Sequence, residues 1–156
     1  MKKATLAILP VLAALLFVAG ALAAGPSNYR AHLTGDQEVP AVETDAVGQA
    51  LFKFSADGTS LSYKLIVANI EDVVAAHIHC APAGVNGGVG VTLFSGAPAG
   101  PVNGILAQAT ITAPDAANGC GWADLAAVAA AIESGDAYVN VHTLAVGSGE
   151  IRGQIK

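Results

Sequence analysis

The segment Ala76-His77-Ile78-His79-Cys80 places two histidines two positions apart in a stretch that is typical of a β-strand. Successive strand side chains point to opposite faces, so His77 and His79 share one face. Their Cα atoms are expected to lie about 6.6–6.8 Å apart, which lets both imidazoles reach one ion. A third histidine, His142, lies in a similar segment, Tyr138-Val139-Asn140-Val141-His142. These two segments predict where a binding site would form.

Polar residues alternate with apolar ones in the segments around and after His142. Asn140 occupies a polar position in residues 136–143, and Glu150 and Arg152 do so in residues 150–155. If these two segments pair as an antiparallel hairpin, their polar positions share one side of the sheet. With the first histidine strand beside this hairpin, one polar surface would contain six side chains: His77, His79, Asn140, His142, Glu150 and Arg152.

Three interpretations of this surface are open from the sequence. It is the solvent side of an antiparallel sheet, or it is buried and hydrogen-bonded with Glu150 and Arg152 paired. The third interpretation is a metal centre in which His77, His79 and His142 are neutral ligands. Three imidazole nitrogens suit zinc or copper and leave a fourth position open, and the sequence does not distinguish these two metals.

The rest of the chain predicts an all-β fold. About eight short segments typical of strands are separated by turn signals, of which Asp57-Gly58 is the strongest. One helix is predicted at about residues 122–134, because Leu125, Val128 and Ile132 recur at helical spacing before Gly135. This pattern predicts an antiparallel β-sandwich or Greek-key arrangement.

The first 23 residues are predicted to be a signal peptide. Lys2 and Lys3 precede an apolar run, and Ala21-Leu22-Ala23 fits a cleavage site. A retained membrane anchor is the alternative, but a proline interrupts the run and no basic cluster follows it. Without Lys2 and Lys3, five of the seven basic residues remain against twelve acidic ones, a net charge of −7. Such a chain is a poor partner for nucleic acid or an anionic membrane.

The two cysteines, Cys80 and Cys120, are predicted to form a disulfide, since their number is even and the chain is predicted to be exported. The alternative, Cys80 as a metal ligand beside His79, is disfavoured because Cys80 points to the opposite face of the strand.

The sequence predicts no catalytic residues. No serine occupies a Gly-x-Ser-x-Gly elbow, and no glycine-rich phosphate loop ends in Lys-Ser or Lys-Thr.

Several ordered motifs resemble the CHRD domain, which recurs in the extracellular protein chordin. The motifs are Leu33-Thr34-Gly35, Glu38-Val39-Pro40, Ala76-His77-Ile78-His79, Gly84-Val85-Asn86-Gly87, Tyr138-Val139-Asn140-Val141-His142-Thr143 and Gly149-Glu150-Ile151-Arg152-Gly153-Gln154-Ile155. The resemblance covers about residues 28–156, which are expected to be one CHRD domain. It implies a β-sandwich of extracellular or cell-envelope location with no established enzymatic activity.

Three functions are carried forward from the sequence. The first is an exported, non-catalytic module that binds a protein or envelope partner or serves the architecture of the envelope. The second is a periplasmic or extracellular protein that binds copper or zinc through three histidines. The third, a redox enzyme of the superoxide-dismutase type, rests on a fold analogy alone and would need a fourth histidine, for which only His32 remains.

Overall fold

The computed structural model describes residues 28–156, and the predicted signal peptide at residues 1–23 lies outside them. Within the described range the chain forms eight β-strands, one α-helix and a short 3-10 turn. In chain order the elements are β1 (Asn28–Thr34), the 3-10 turn (Gly35–Gln37), β2 (Val47–Phe54), β3 (Leu61–Glu71), β4 (Val73–Cys80), β5 (Gly88–Ser95), β6 (Pro101–Ile111), α1 (Leu125–Ser134), β7 (Ala137–Thr143) and β8 (Ile151–Gln154).

The eight strands form one antiparallel sheet in the order β5-β4-β7-β8-β1-β2-β3-β6. The sheet curls until strands from its two ends meet across the core, where the Tyr63 hydroxyl of β3 donates to the Leu93 carbonyl of β5. The predicted all-β antiparallel class, with about eight strands and one short helix, is confirmed. The two walls of the predicted sandwich are continuous with each other because the sheet closes almost onto itself.

Alternation of buried and exposed positions places the core inside the curled sheet, although two outward positions of β2, Val47 and Leu51, are apolar. In β2 every second residue is buried, and the residues between them face outward. The same pattern runs through most of β3. The inner face consists of aliphatic and aromatic side chains, among them Leu33, Phe52, Phe54, Leu61, Leu65, Ile78, Val91, Val139 and Ile151.

The helix covers one opening of this core and is shorter than predicted. It begins at Leu125 rather than at residue 122, because the side chain of Asp124 accepts a hydrogen bond from the Ala127 amide and caps the first turn. It ends at Gly135, whose φ of 81° is left-handed, as predicted from the glycine. Trp122 lies before the helix instead, with its ring where a side chain at Gly90 would be.

The predicted disulfide between Cys80 and Cys120 is confirmed, with a Cα–Cα distance of 5.7 Å. It joins the end of β4 to the segment between β6 and α1. Residues of that segment also bond to the outer edge of β5, since the Asp115 amide donates to the Gly90 carbonyl and the Gly119 amide to the Val89 carbonyl. The loop is therefore fixed to β4 and β5 by covalent and hydrogen bonds together.

In residues 28–156, no helix has the length and apolar character needed to cross a lipid bilayer.

Candidate metal centre

The pairing of β4 with β7 brings three histidines together. In this antiparallel pair His77 lies opposite Asn140, His79 opposite Tyr138, and Ala75 opposite His142. All three imidazoles project from the same face of the sheet, and their candidate ligand nitrogens lie within 4.8 Å of one another. The convergence expected from the two sequence segments is therefore present in the folded chain.

One pair of ring nitrogens already has nearly the spacing that one metal ion requires. His77 Nδ1 and His142 Nε2 are 3.1 Å apart. Two nitrogens bound to one tetrahedral zinc at about 2.0–2.1 Å each lie about 3.3–3.4 Å apart. A metal would need this pair to separate by only a few tenths of an ångström.

Backbone carbonyls set the orientation of two of the rings. His79 Nδ1 lies 3.1 Å from the Gly87 carbonyl, and His142 Nδ1 lies 3.0 Å from the Gly147 carbonyl. A carbonyl only accepts, so each Nδ1 carries the proton and each Nε2 carries a lone pair. The lone pair of His142 Nε2 accepts from His77 Nδ1. Metal-binding histidines are typically held in this way. The Nε2 atom of His79 is buried and has no hydrogen-bond partner within residues 28–156.

The environment keeps all three imidazoles neutral at neutral pH. Burial lowers the pKa of His142, and it lowers the pKa of His77 together with repulsion from His142. Burial lowers the pKa of His79 further, to about 4. Neutral imidazole is the form that binds metals, so ligand protonation does not compete with binding near pH 7.

An arginine and a tyrosine extend the site toward β8. The ring of Tyr138 stacks on His79 with centroids 4.9 Å apart, and the Arg152 guanidinium lies 3.5 Å from the centre of the same tyrosine ring. Arg152 also donates to the carbonyls of Pro82 and Val85, in the loop between β4 and β5. This cation–π contact and these hydrogen bonds hold that loop over the face that carries the histidines.

The part of this face around Asn140 and Arg152 is not an ordinary solvent side, because two loops cover it, whereas His77 and His142 are only partly buried. Arg152 is 1% exposed and Asn140 is 3% exposed. The proposed pairing of Glu150 with Arg152 is also absent. Glu150 lies before β8, and its carboxylate accepts from Thr44 and Thr143. The Glu150 side chain does not lie on the polar face because β8 begins only at Ile151. The alternation of side chains along a strand therefore does not apply to Glu150.

A buried carboxylate that the sequence did not single out lies beside the site. Glu38, in the loop after β1, accepts a hydrogen bond of 2.6 Å from the Asn140 amide nitrogen. The Asn140 oxygen has no hydrogen-bond partner among the described residues. Burial raises the pKa of Glu38 to about 7, although the positive charge of Arg152 opposes the shift. The only sequence signal for Glu38 was its place in the Glu38-Val39-Pro40 motif.

His32, the fourth histidine, does not join the cluster. It lies in β1, is exposed, and pairs across the sheet with Gln49. Among the described residues, the group that converges contains His77, His79 and His142. The fourth imidazole that a dismutase-type site would need is therefore not supplied by His32.

Removing the Glu38 carboxylate is expected to change how stability depends on pH. Between pH 4.5 and about 7 the folded chain keeps a proton on Glu38 that the unfolded chain releases. The contribution of Glu38 to the free energy of unfolding therefore falls as pH rises, by about 2–3 kcal/mol over this window. Urea titrations at several pH values measure this effect. As pH rises, the free energy of unfolding of Glu38→Gln should increase by that amount relative to the free energy of unfolding of the wild type. The control Glu43→Gln removes a carboxylate at an exposed site away from Asn140. If the difference in stability between Glu38→Gln and the wild type stayed constant with pH, the raised pKa would be contradicted.

Comparison with protein families places these motifs in one domain. The sequence model of the CHRD domain matches residues 29–155, which include every strand residue except Asn28, as well as the three histidines and Glu38. Searches of curated proteins and of solved structures returned no match. The match spans well over half of the chain, and the chain therefore belongs to the CHRD domain family.

Proposed function

We propose that this chain is an exported, non-catalytic binding module whose ligand is a divalent transition-metal ion, held by His77, His79 and His142. The observation that carries the proposal is the convergence of three neutral imidazoles whose ligand nitrogens lie within 4.8 Å of one another. One of these imidazoles, His79, has a buried nitrogen without a hydrogen-bond partner in the part of the chain that the structure describes. CHRD membership supports a binding role rather than an enzymatic one.

The unpartnered nitrogen favours a metal over a purely structural cluster. A buried polar atom without a hydrogen bond costs about 1–3 kcal/mol. A structural histidine would avoid this cost by bonding through both nitrogens, whereas His79 uses only Nδ1. A metal ion between the three rings would satisfy His79 Nε2 and replace the contact between His77 and His142.

The ligand set favours zinc or copper. Three imidazole nitrogens and no thiolate suit Zn²⁺ and Cu²⁺, and neutral ligands leave the full charge of the ion on the site. Cys80, the nearest thiol in sequence, is in the disulfide and is not available as a ligand. An ion held by these three nitrogens would have a remaining coordination position for a small ligand.

Export is supported by two independent features. The disulfide is typical of proteins in oxidising compartments, where thiols are not kept reduced. The first 23 residues have the composition of a signal peptide. In the periplasm or outside the cell, the module would meet metal ions without competition from cytosolic thiols.

The test is metal binding to protein purified without an affinity tag. The metal-free protein, titrated with Zn²⁺ or Cu²⁺ by calorimetry, is expected to bind one equivalent at micromolar concentration. His77→Ala and His142→Ala should each lose stoichiometric binding. His32→Ala is the matched control, since it removes an exposed histidine outside the cluster and should bind like the wild type. The proposal fails if the wild type binds neither metal, or if both cluster variants bind normally.

A further inference from the structure

Thr92 and Asp115 lie beside the histidine cluster, on the side away from Arg152. Thr92 is the cross-strand partner of His77 in the pairing of β4 with β5, in a stretch where the register shifts between Ala76 and His77 and again between Ile78 and His79. Opposite residues of an antiparallel pair point to the same face, with Cβ atoms about 4.5–5.5 Å apart. The Thr92 side chain therefore projects next to His77, on the face that carries the cluster.

Asp115 fixes the orientation of the threonine hydroxyl. Thr92 Oγ1 donates to Asp115 Oδ2 over 2.7 Å, and the Thr92 amide donates to Asp115 Oδ1 over 3.1 Å. A hydroxyl has one proton, and in Thr92 that proton is used by the carboxylate. The hydroxyl oxygen can then only accept a further hydrogen bond.

The position of Asp115 is itself well defined. Its amide donates to the Gly90 carbonyl, and the same loop is joined to β4 by the disulfide of Cys120.

We propose that Thr92, positioned by Asp115, selects the small ligand at the open position of the metal centre. Because its oxygen only accepts, Thr92 favours a ligand that keeps a proton on its metal-binding atom, such as water, hydroxide or an ionised primary sulfonamide. It gives no such advantage to an anion without a proton, such as azide. This inference rests on the proposed metal site. Thr92 and Asp115 are positioning residues: Asp115 orients the Thr92 hydroxyl, and Thr92 accepts a hydrogen bond from the ligand.

The test uses cobalt-loaded protein, in which ligand exchange changes the visible absorption spectrum. Methanesulfonamide is the proton-bearing probe and azide the proton-free one. In Thr92→Val, which keeps the shape of the side chain and removes the hydroxyl, affinity for methanesulfonamide is expected to fall about tenfold or more. Affinity for azide should stay within about twofold of the wild type. Thr92→Ser should restore the wild-type preference, and Asp115→Asn should weaken it by freeing the hydroxyl proton.

The outcomes separate this inference from the metal proposal. If cobalt does not bind at all, the proposed function fails and this inference fails with it. If cobalt binds and Thr92→Val leaves the methanesulfonamide affinity unchanged, only the role of Thr92 is overturned. Equal weakening of both probes in Thr92→Val, or a wild type that binds azide and not methanesulfonamide, would also overturn it.

Discussion

Removal of the disulfide, by Cys80→Ala together with Cys120→Ala, is expected to lower the free energy of unfolding by about 4 kcal/mol at 25 °C. The two cysteines are 40 residues apart in sequence. Closing a loop of that length restricts the unfolded chain and stabilises the folded state by about this amount in the loop-entropy description. Denaturant unfolding of the oxidised wild type and the double variant measures the difference.

Loss of the disulfide should also loosen the segment between β6 and α1, and this local change can be measured by fluorescence. The bridge holds the segment between β6 and α1, in which Trp122 packs at Gly90. Trp122 is the one tryptophan in the sequence, so its fluorescence reports on this segment. The double variant is expected to show a red-shifted emission under native conditions.

The control is chemical rather than genetic. Wild type reduced with dithiothreitol lacks the same bridge and should unfold at nearly the same denaturant concentration as the double variant. A double variant within 1 kcal/mol of the oxidised wild type would show that the hydrogen bonds of Asp115 and Gly119 to β5 hold this loop without the disulfide.

Replacing Arg152 with methionine is expected to lower the free energy of unfolding by about 3–4 kcal/mol. The guanidinium donates to the carbonyls of Pro82 and Val85 and to the side chain of Asn86, and it lies on the ring of Tyr138. Hydrogen bonds from a charged donor contribute about 1.5–3 kcal/mol each and the cation–π contact about 0.5–2 kcal/mol. Removing a buried charge recovers part of its desolvation cost, so the net loss is smaller than the sum.

The comparison variants separate charge, shape and hydrogen bonding at this position. Methionine keeps much of the volume, so its effect measures the lost donors and charge. Arg152→Lys keeps the positive charge but not the planar guanidinium. It should lower the free energy of unfolding by less than Arg152→Met does. Arg30→Met, at an exposed arginine in β1, controls for loss of a positive charge and should change stability by less than about 0.5 kcal/mol. If Arg152→Met matched Arg30→Met, the loop between β4 and β5 would not depend on the guanidinium.

Features that depend on nearby residues could be predicted from the sequence. The alternation in β2 and β3 specified which side chains enter the core, because strand side chains change face at every residue. The turn at Asp57-Gly58 followed from the same local chemistry: Gly58 has a φ of 70°, and the Asp57 carboxylate accepts from Ser55 and Thr59. The helix begins three residues after the predicted start at residue 122, because Asp124 caps the first turn.

The covering of the polar face could not be predicted in this way. Glu38 meets Asn140 across 102 positions of sequence, and Thr92 meets Asp115 across 23. An alternating strand looks the same whether water or a loop lies on its polar side. The sequence therefore could not distinguish a solvated surface from one enclosed by the loops after β1 and β4.

The order of residues is enough to show that His77 and His79 share one face, that the chain is mostly antiparallel β-structure, and that Cys80 is turned away from both histidines. That β7 lies beside β4, so that His142 joins them, depends on the complete fold. The complete fold also determines that Glu150 turns to Thr44 and Thr143 while Arg152 holds the loop over the site. The physical reason is that pleat and turn geometry act over a few residues, whereas strand order depends on how the whole apolar surface is buried.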